Sequence, residues 1–337
     1  MNSKELNLLG IREWEWISKK YDKPNLLLGN GFSVNIANQF NYKSLFEEFI
    51  NNADKEFSAL FKMFGTTNFE IIQEYLTHST KVNQIFDLET ERIFKAIENL
   101  KNGLIKTINK VHPRFKEIDS NQIDRLTKQF VDDFGDVYSL NYDMFLYHLI
   151  MHSVDLYKQG DRKMAYQDYF WGKSGSDTSD FVPFQKFEHY KHVYYLHGAL
   201  CYYKNDIIDY KILRKPDIEL IEVIENKIRE GKFPLFVSEG ISSDKLKSIG
   251  RSNYLNFCLR KLKTDKEPLL VYGTSLSSND KHIVDAICQN KRDLIIAVYV
   301  RNKTEATLNR EVAEFKEMFD KKCLSIDFIN SYSLFNF

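Results

Sequence analysis

Cysteine is scarce and scattered, with Cys201, Cys258, Cys288 and Cys323 standing far apart in a chain of 337 residues. No CxxC pair exists to hold zinc and no dense framework suggests a disulfide-stapled secreted domain, so the four read as core thiols and no metal is expected. An excess of one charge is missing as well. Lysine plus arginine number 47, and so do aspartate plus glutamate, which leaves nothing in the net balance to draw the chain to a polyanion; direct nucleic-acid binding is not expected. No apolar run reaches the roughly 18 residues of a membrane-spanning helix. The N-terminal MNSKELNLLGIREWEW lacks the uninterrupted apolar core of a signal peptide. These absences lead to the expectation of a cytoplasmic protein without membrane contact. The GxGxxG fingerprint of dinucleotide-binding turns is also lacking, because Val34 stands where its third glycine would be.

What is present is a globular composition, 43% hydrophobic and 28% charged, rich in aromatics with 26 Phe and 19 Tyr. Short apolar runs end at Gly, Ser, Asn or His and give way to helix-like segments. Asn25–Leu28, Asp136–Leu140, His192–Leu196, Leu235–Val237, Leu269–Tyr272 and Leu294–Val300 are the expected strands, with Leu324–Ile329 as a further one. Near-continuous apolar strands interleaved with helices predict an α/β, Rossmann-like domain over residues 1–337, its mostly parallel sheet covered by helices on both faces. Residues 41–132, with apolar residues at helical spacing in YKSLFEEFI, FEIIQEYL and ERIFKAIENLKNGLIKTI, predict a helical insertion. The segment 159–185, with GKSGSDTSD between aromatics, predicts a loop or flap.

In open α/β sheets, ligands bind beyond the carboxyl ends of the strands, so the chemistry is sought just after each apolar run. Gly29-Asn30-Gly31-Phe32-Ser33 follows the first. Its glycines let backbone approach a ligand and its helix-start N–H groups suit a phosphate, although a tight strand-to-helix junction needs glycine for steric reasons alone. Asn141-Tyr142-Asp143 follows the second run and offers an amide and a carboxylate for a carboxamide or ribose hydroxyl; a helix cap is the other reading of Asp143. His197-Gly198 follows the third and supplies a group for proton transfer near neutral pH, with glycine leaving space beside it. Pro234–Gly240 ends the fourth. Gly273-Thr274-Ser275 ends the fifth with close backbone approach and two hydroxyls, suited to ribose or phosphate or to a capping loop.

Taken in order, Gly-Asn-Gly-Phe-Ser, Asn-Tyr-Asp, His-Gly, Pro-x-x-Val-x-Glu-Gly and Gly-Thr-Ser-Leu resemble the strand-end motifs of the sirtuin superfamily over about residues 25–280. The pattern is most similar to bacterial sirtuin-like domains that consume NAD as antiphage-defence effectors, and Asn68-Phe69-Glu70 after Gly65-Thr66-Thr67 is similar to those proteins too. The sirtuin Gly-Ile-Pro-Asp-Phe-Arg segment and zinc-ribbon cysteines are missing, which argues against protein deacylation. The resemblance implies a gated NAD hydrolase that takes NAD as substrate and releases nicotinamide and ADP-ribose. It implies that Gly29, Gly31 and Ser33 contact the pyrophosphate and adjoining ribose, with Asn30 also in the cofactor-binding set, that Gly273, Thr274 and Ser275 hold the adenosine side, and that Asp143 holds the nicotinamide carboxamide. Asn141 then orients the ribose or attacking water and His197 serves as base. A homo-oligomer or a regulatory partner protein is expected from the need for gating. A non-catalytic NAD or ADP-ribose sensor and an ADP-ribosyltransferase or deacylase remain the alternatives.

Overall fold

The computed structural model describes residues 3–40, 44–172, 176–184, 189–205, 207–214, 218–237 and 241–335. Its strands are β1 (Ile11–Arg12), β2 (Asn25–Leu28), β3 (Val137–Ser139), β4 (Ala165–Gln167), β5 (Phe170–Trp171), β6 (Thr178–Phe181), β7 (Tyr190–Tyr195), β8 (Tyr202–Lys204), β9 (Asp209–Ile212), β10 (Leu269–Tyr272), β11 (Asp293–Val298) and β12 (Ser325–Asn330). Eight of them form one sheet in the order β1-β12-β11-β10-β2-β3-β7-β4, every neighbouring pair parallel. Every residue of β2, β3 and β10 is buried, as expected of central strands covered on both faces by helices. The fold is α/β and Rossmann-like.

The stretch β7-β3-β2-β10-β11-β12 repeats the strand order 3-2-1-4-5-6 of doubly wound dinucleotide-binding sheets. The chain moves outward from β2 through β3 to β7, then returns to the opposite side of β2 with β10. The order therefore reverses between β2 and β10, and a crevice opens beyond their carboxyl ends. Registers Leu27↔Val271 and Leu28↔Tyr272 bring Gly29 and Gly273 out of the sheet side by side.

Between β2 and β3 the expected helical insertion consists of helices Leu45–Asn52, Lys55–Met63, Phe69–Ile85, Glu91–Val111 and Ser120–Asp133. Edge-to-face phenylalanines hold it together: Phe46 and Phe61 lie 4.9 Å apart between ring centres, and Phe49 and Phe69 lie 5.0 Å apart. Phe69 also meets Phe236, which meets Tyr142, and the Tyr142 hydroxyl accepts a hydrogen bond from the Leu45 N–H at 3.0 Å. The insertion is thereby anchored to the segments that carry the strand-end motifs.

Two sequence expectations change. Within 159–185 the described residues are not a plain loop or flap, since β4 joins the large sheet and β5 and β6 join β9 and β8 in a four-stranded antiparallel sheet; residues 173–175 and 185 lie outside the described residues. Apolar β5 side chains, Phe170 above all, pack on Tyr202 and Tyr254, which is what orders this stretch. Leu235–Val237 is not a strand of the large sheet either. It crosses the end of β7 as a single antiparallel bridge, Gly198↔Phe236, with the Val237 N–H donating to the His197 carbonyl at 2.7 Å. Among the described residues no helix is long and apolar enough to cross a membrane.

Candidate functional site

A cleft of about 370 Å³ lies at the β2/β10 crevice, and its lining includes Gly29, Asn30, Asn141, Asp143, His197, Gly273, Thr274 and Ser275. Eight of the ten residues singled out from the sequence thus share one cavity. Gly31 lines an adjoining cleft of about 410 Å³ that shares Gly273, Thr274 and Ser275 and continues to Tyr299 and Lys303. Ser33 lines neither cleft and is buried behind the first.

The glycine turns pack on each other. A Cβ on Gly29 would stand 2.5 Å from Thr274 Cβ and one on Gly31 would stand 2.8 Å from Gly273 Cα, so neither position has room for a side chain. Gly273 has φ +73°, and its added Cβ would lie 2.6 Å from the Phe32 nitrogen. Close approach of two loops accounts for these glycines, as the steric reading of the turn anticipated. The phosphate reading is narrowed accordingly. The Gly31 N–H donates to the Gly273 carbonyl at 2.8 Å and the Phe32 N–H to the Gly29 carbonyl at 3.0 Å, so these two donors are not available to a ligand. The Asn30 side chain is turned to the Phe40 carbonyl at 3.2 Å.

Asn141 and Asp143 are joined through Ser33. Asn141 Nδ2 donates to the Gly29 carbonyl and to Ser33 Oγ, both at 3.0 Å, and Ser33 Oγ donates to Asp143 Oδ2 at 2.5 Å. The Phe145 N–H donates to Asp143 Oδ1 at 2.8 Å, so Asp143 ties down the start of helix Phe145–Gln159 from one position before its N-cap, Met144. Burial raises the Asp143 carboxyl above its ordinary value, opposed by the Ser33 and Phe145 hydrogen bonds. This buried chain fixes the Asn141 amide plane, and among the described residues nothing holds Asn141 Oδ1.

His197 is 5% exposed, and its Nε2 lies 3.0 Å from His282 Nε2. Ser242 Oγ lies 3.1 Å from His282 Nδ1 and accepts the His282 backbone N–H at 2.8 Å. Beside the pair, Lys245 Nζ donates to Asp280 Oδ1 at 2.8 Å, and both residues line the cleft. Burial, with lesser effects of the Lys245 and His282 charges, holds the His197 imidazole well below 6.5. Burial likewise takes His282 down to about 4. Both rings are therefore neutral at pH 7. Gly198 does not open space for a ligand: at φ +73° it admits the Leu235 carbonyl, which a Cβ would strike.

His282, Ser242, Lys245 and Asp280 escaped the sequence reading. Asp280 and His282 follow Gly273-Thr274-Ser275 within SSNDKH, a polar stretch at a strand end whose spacing was the available signal; Ser242 and Lys245 lie on helix Ser242–Gly250, with no motif to mark them. Of the Pro234–Gly240 motif, residues 238–240 lie outside the described residues. Asn68 caps helix Phe69–Ile85, its Oδ1 accepting the Glu70 N–H at 2.8 Å, while Gly65, Thr66 and Thr67 line a cavity apart from the central cleft.

Neutral imidazoles, an oriented amide and hydroxyls around a strand-order reversal can bind a dinucleotide and move a proton. No curated protein matches the chain. Residues 26–335 match the model of a domain of unknown function, DUF4917, and the chain belongs to that family.

Proposed function

We propose that the chain binds NAD across the β2/β10 crevice and hydrolyses its nicotinamide–ribose bond. The observation that carries this reading is the meeting of Asn141, Asp143 and His197 with the Gly29 and Gly273 turns in one cleft at the reversal of strand order. The two clefts that share Gly273–Ser275 fit the two halves of the molecule, with nicotinamide riboside beside His197 and adenosine beside Tyr299.

In the proposed reaction the bonding pair of the C1′–N bond leaves with nicotinamide, which departs neutral, and an oxocarbenium-like ribose remains. Water adds to C1′ and its proton passes to His197, which is unprotonated at neutral pH because of its burial. Asn141, held by Gly29 and Ser33, directs its Oδ1 to the ribose or the water, so that positioning supplies much of the rate. We assign the protein to the cytoplasm, in keeping with its free cysteines, and as an antiphage effector whose activity is gated by self-association or a partner.

One feature favours binding without turnover: His197 Nε2 and Asn141 Nδ2 are both engaged by protein groups. Release of nicotinamide from NAD by the purified chain separates the two readings. Nicotinamide appears if the chain is a hydrolase and does not if it is a sensor.

A further inference from the structure

A cavity of about 580 Å³ lies between the helical insertion and helix Ser242–Gly250, outside the proposed NAD cleft. Its lining is strongly unbalanced for a chain with equal numbers of acidic and basic residues: among the described residues it holds Lys62, Lys245, Lys247 and Arg251 against Asp244 alone. Asp244 is taken by Lys247 at 2.9 Å, and Lys245 is taken by Asp280. Neither Lys62 nor Arg251 has a carboxylate within ion-pair distance among the described residues, and the nearby Glu70 carboxyl feels the Arg251 charge without pairing with it. The Phe64 and Tyr75 rings also line the cavity, with centres 4.2 Å apart and planes tilted by 32°, and they remain 40% and 39% exposed. Such rings offer a further planar group a surface on which to stack.

We infer that this cavity binds a mononucleotide, its base on the Phe64–Tyr75 platform and its phosphate among Lys62, Lys247 and Arg251. A planar ring and an anion are what these two sets of side chains complement, and neither set by itself defines the ligand. Lys245 lines this cavity and the central cleft alike. A bound phosphate therefore contends with Asp280 for Lys245, whose helix also carries the Ser242 hydroxyl on His282. Occupancy of either cavity is coupled to the other through that helix, reciprocally. The site itself stands whether or not the central cleft turns over NAD.

The test is isothermal titration calorimetry of the full chain with AMP and GMP, with adenosine and inorganic phosphate as the separate halves. Three variants accompany the wild type: the double variant Lys247→Ala/Arg251→Ala, Tyr75→Ala, and Ser275→Glu, which puts a negative charge at the exposed mouth of the central cleft. All four positions are exposed, so the fold tolerates the changes, as melting curves will register. Both nucleotides bind wild type and Ser275→Glu alike. The double variant weakens them about tenfold or more, the loss expected for charge-assisted contacts, and Tyr75→Ala weakens them as well. Adenosine and phosphate alone bind far more weakly than AMP. The inference is overturned if neither nucleotide binds at millimolar concentration, if binding survives both cavity variants unchanged, if adenosine binds as tightly as AMP, or if Ser275→Glu alone abolishes binding.

Discussion

His197 and His282 meet through their Nε2 atoms, 3.0 Å apart in the protein interior, and since both rings are neutral only one of those nitrogens carries a proton. The arrangement that uses every neighbour puts that proton on His282. Ser242 Oγ accepts the His282 backbone N–H, its own proton goes to His282 Nδ1, and His282 Nε2–H then donates to His197. His197 Nε2 accepts that hydrogen bond, so its lone pair faces His282 and takes a proton from water only when the contact opens; in the proposed reaction His282 acts as a positioning residue.

Removal of the proposed base costs about 10²–10⁴ in rate, so His197→Ala loses nearly all NAD cleavage. His282→Ala falls by less, because the base survives without its guide. Steady-state nicotinamide release from the two variants checks this order, and a larger loss for His282→Ala contradicts it.

The pH profile follows from burial. His197 stays unprotonated well below 6.5, so kcat/KM for NAD cleavage is flat as pH falls through the ordinary histidine range and declines only at more acid pH. An acid limb centred near 6.5 would assign the titrating base to an exposed histidine instead.

Stability follows the opposite limb of the same physics. Burial takes His112 and His148 down to about 3 and His282 to about 4, while in the unfolded chain each titrates near 6.5. The unfolded state therefore binds more protons below pH 6.5, and stability present above that value is lost as pH falls toward 4. Each such histidine contributes a slope of up to about 1.4 kcal/mol per pH unit in the window. Denaturant unfolding at pH 7.5 and 5.5 measures this, and equal midpoints would refute it.

Much of this was legible in the sequence. β2 and β10 coincide with the apolar runs Asn25–Leu28 and Leu269–Tyr272, because central parallel strands must be apolar throughout and end abruptly at glycine. The motif residues converge because strands in one parallel sheet all end at the same edge. β4, β5, β6, β8 and β9 were not legible, since they are short, and β5 packs through Phe170 on Tyr202 and Tyr254 from distant parts of the chain. His282 joined the site only through tertiary packing, 85 residues from His197.

Gly273→Ala tests the junction of the two turns. The φ of +73° costs an alanine about 1–3 kcal/mol in strain, and its Cβ would also press on the Phe32 nitrogen, so the melting temperature falls markedly. A Gly273→Ala protein that melts like wild type would show that the Gly31–Gly273 approach is looser than 2.8 Å implies.

Ser33→Ala breaks the buried link between Asn141 and Asp143 and leaves Asp143 Oδ2 without its donor. The loss is about 1–3 kcal/mol. In a double-mutant cycle with Asn141→Ala the two losses add to more than the double variant shows, because both remove the same Asn141–Ser33 hydrogen bond. Simple additivity would show that Asn141 and Ser33 are not coupled through this hydrogen bond.

Incubation of the purified chain with NAD, with nicotinamide and ADP-ribose quantified over time and His197→Ala alongside, addresses the proposed reaction most directly. The account predicts equal amounts of the two products from the wild-type chain, at or above a threshold of self-association or with its regulator, and neither from a folded His197→Ala. Unchanged NAD with demonstrable binding would make the cleft a sensor, and ADP-ribose retained on protein would make the reaction a transfer; either result contradicts hydrolysis.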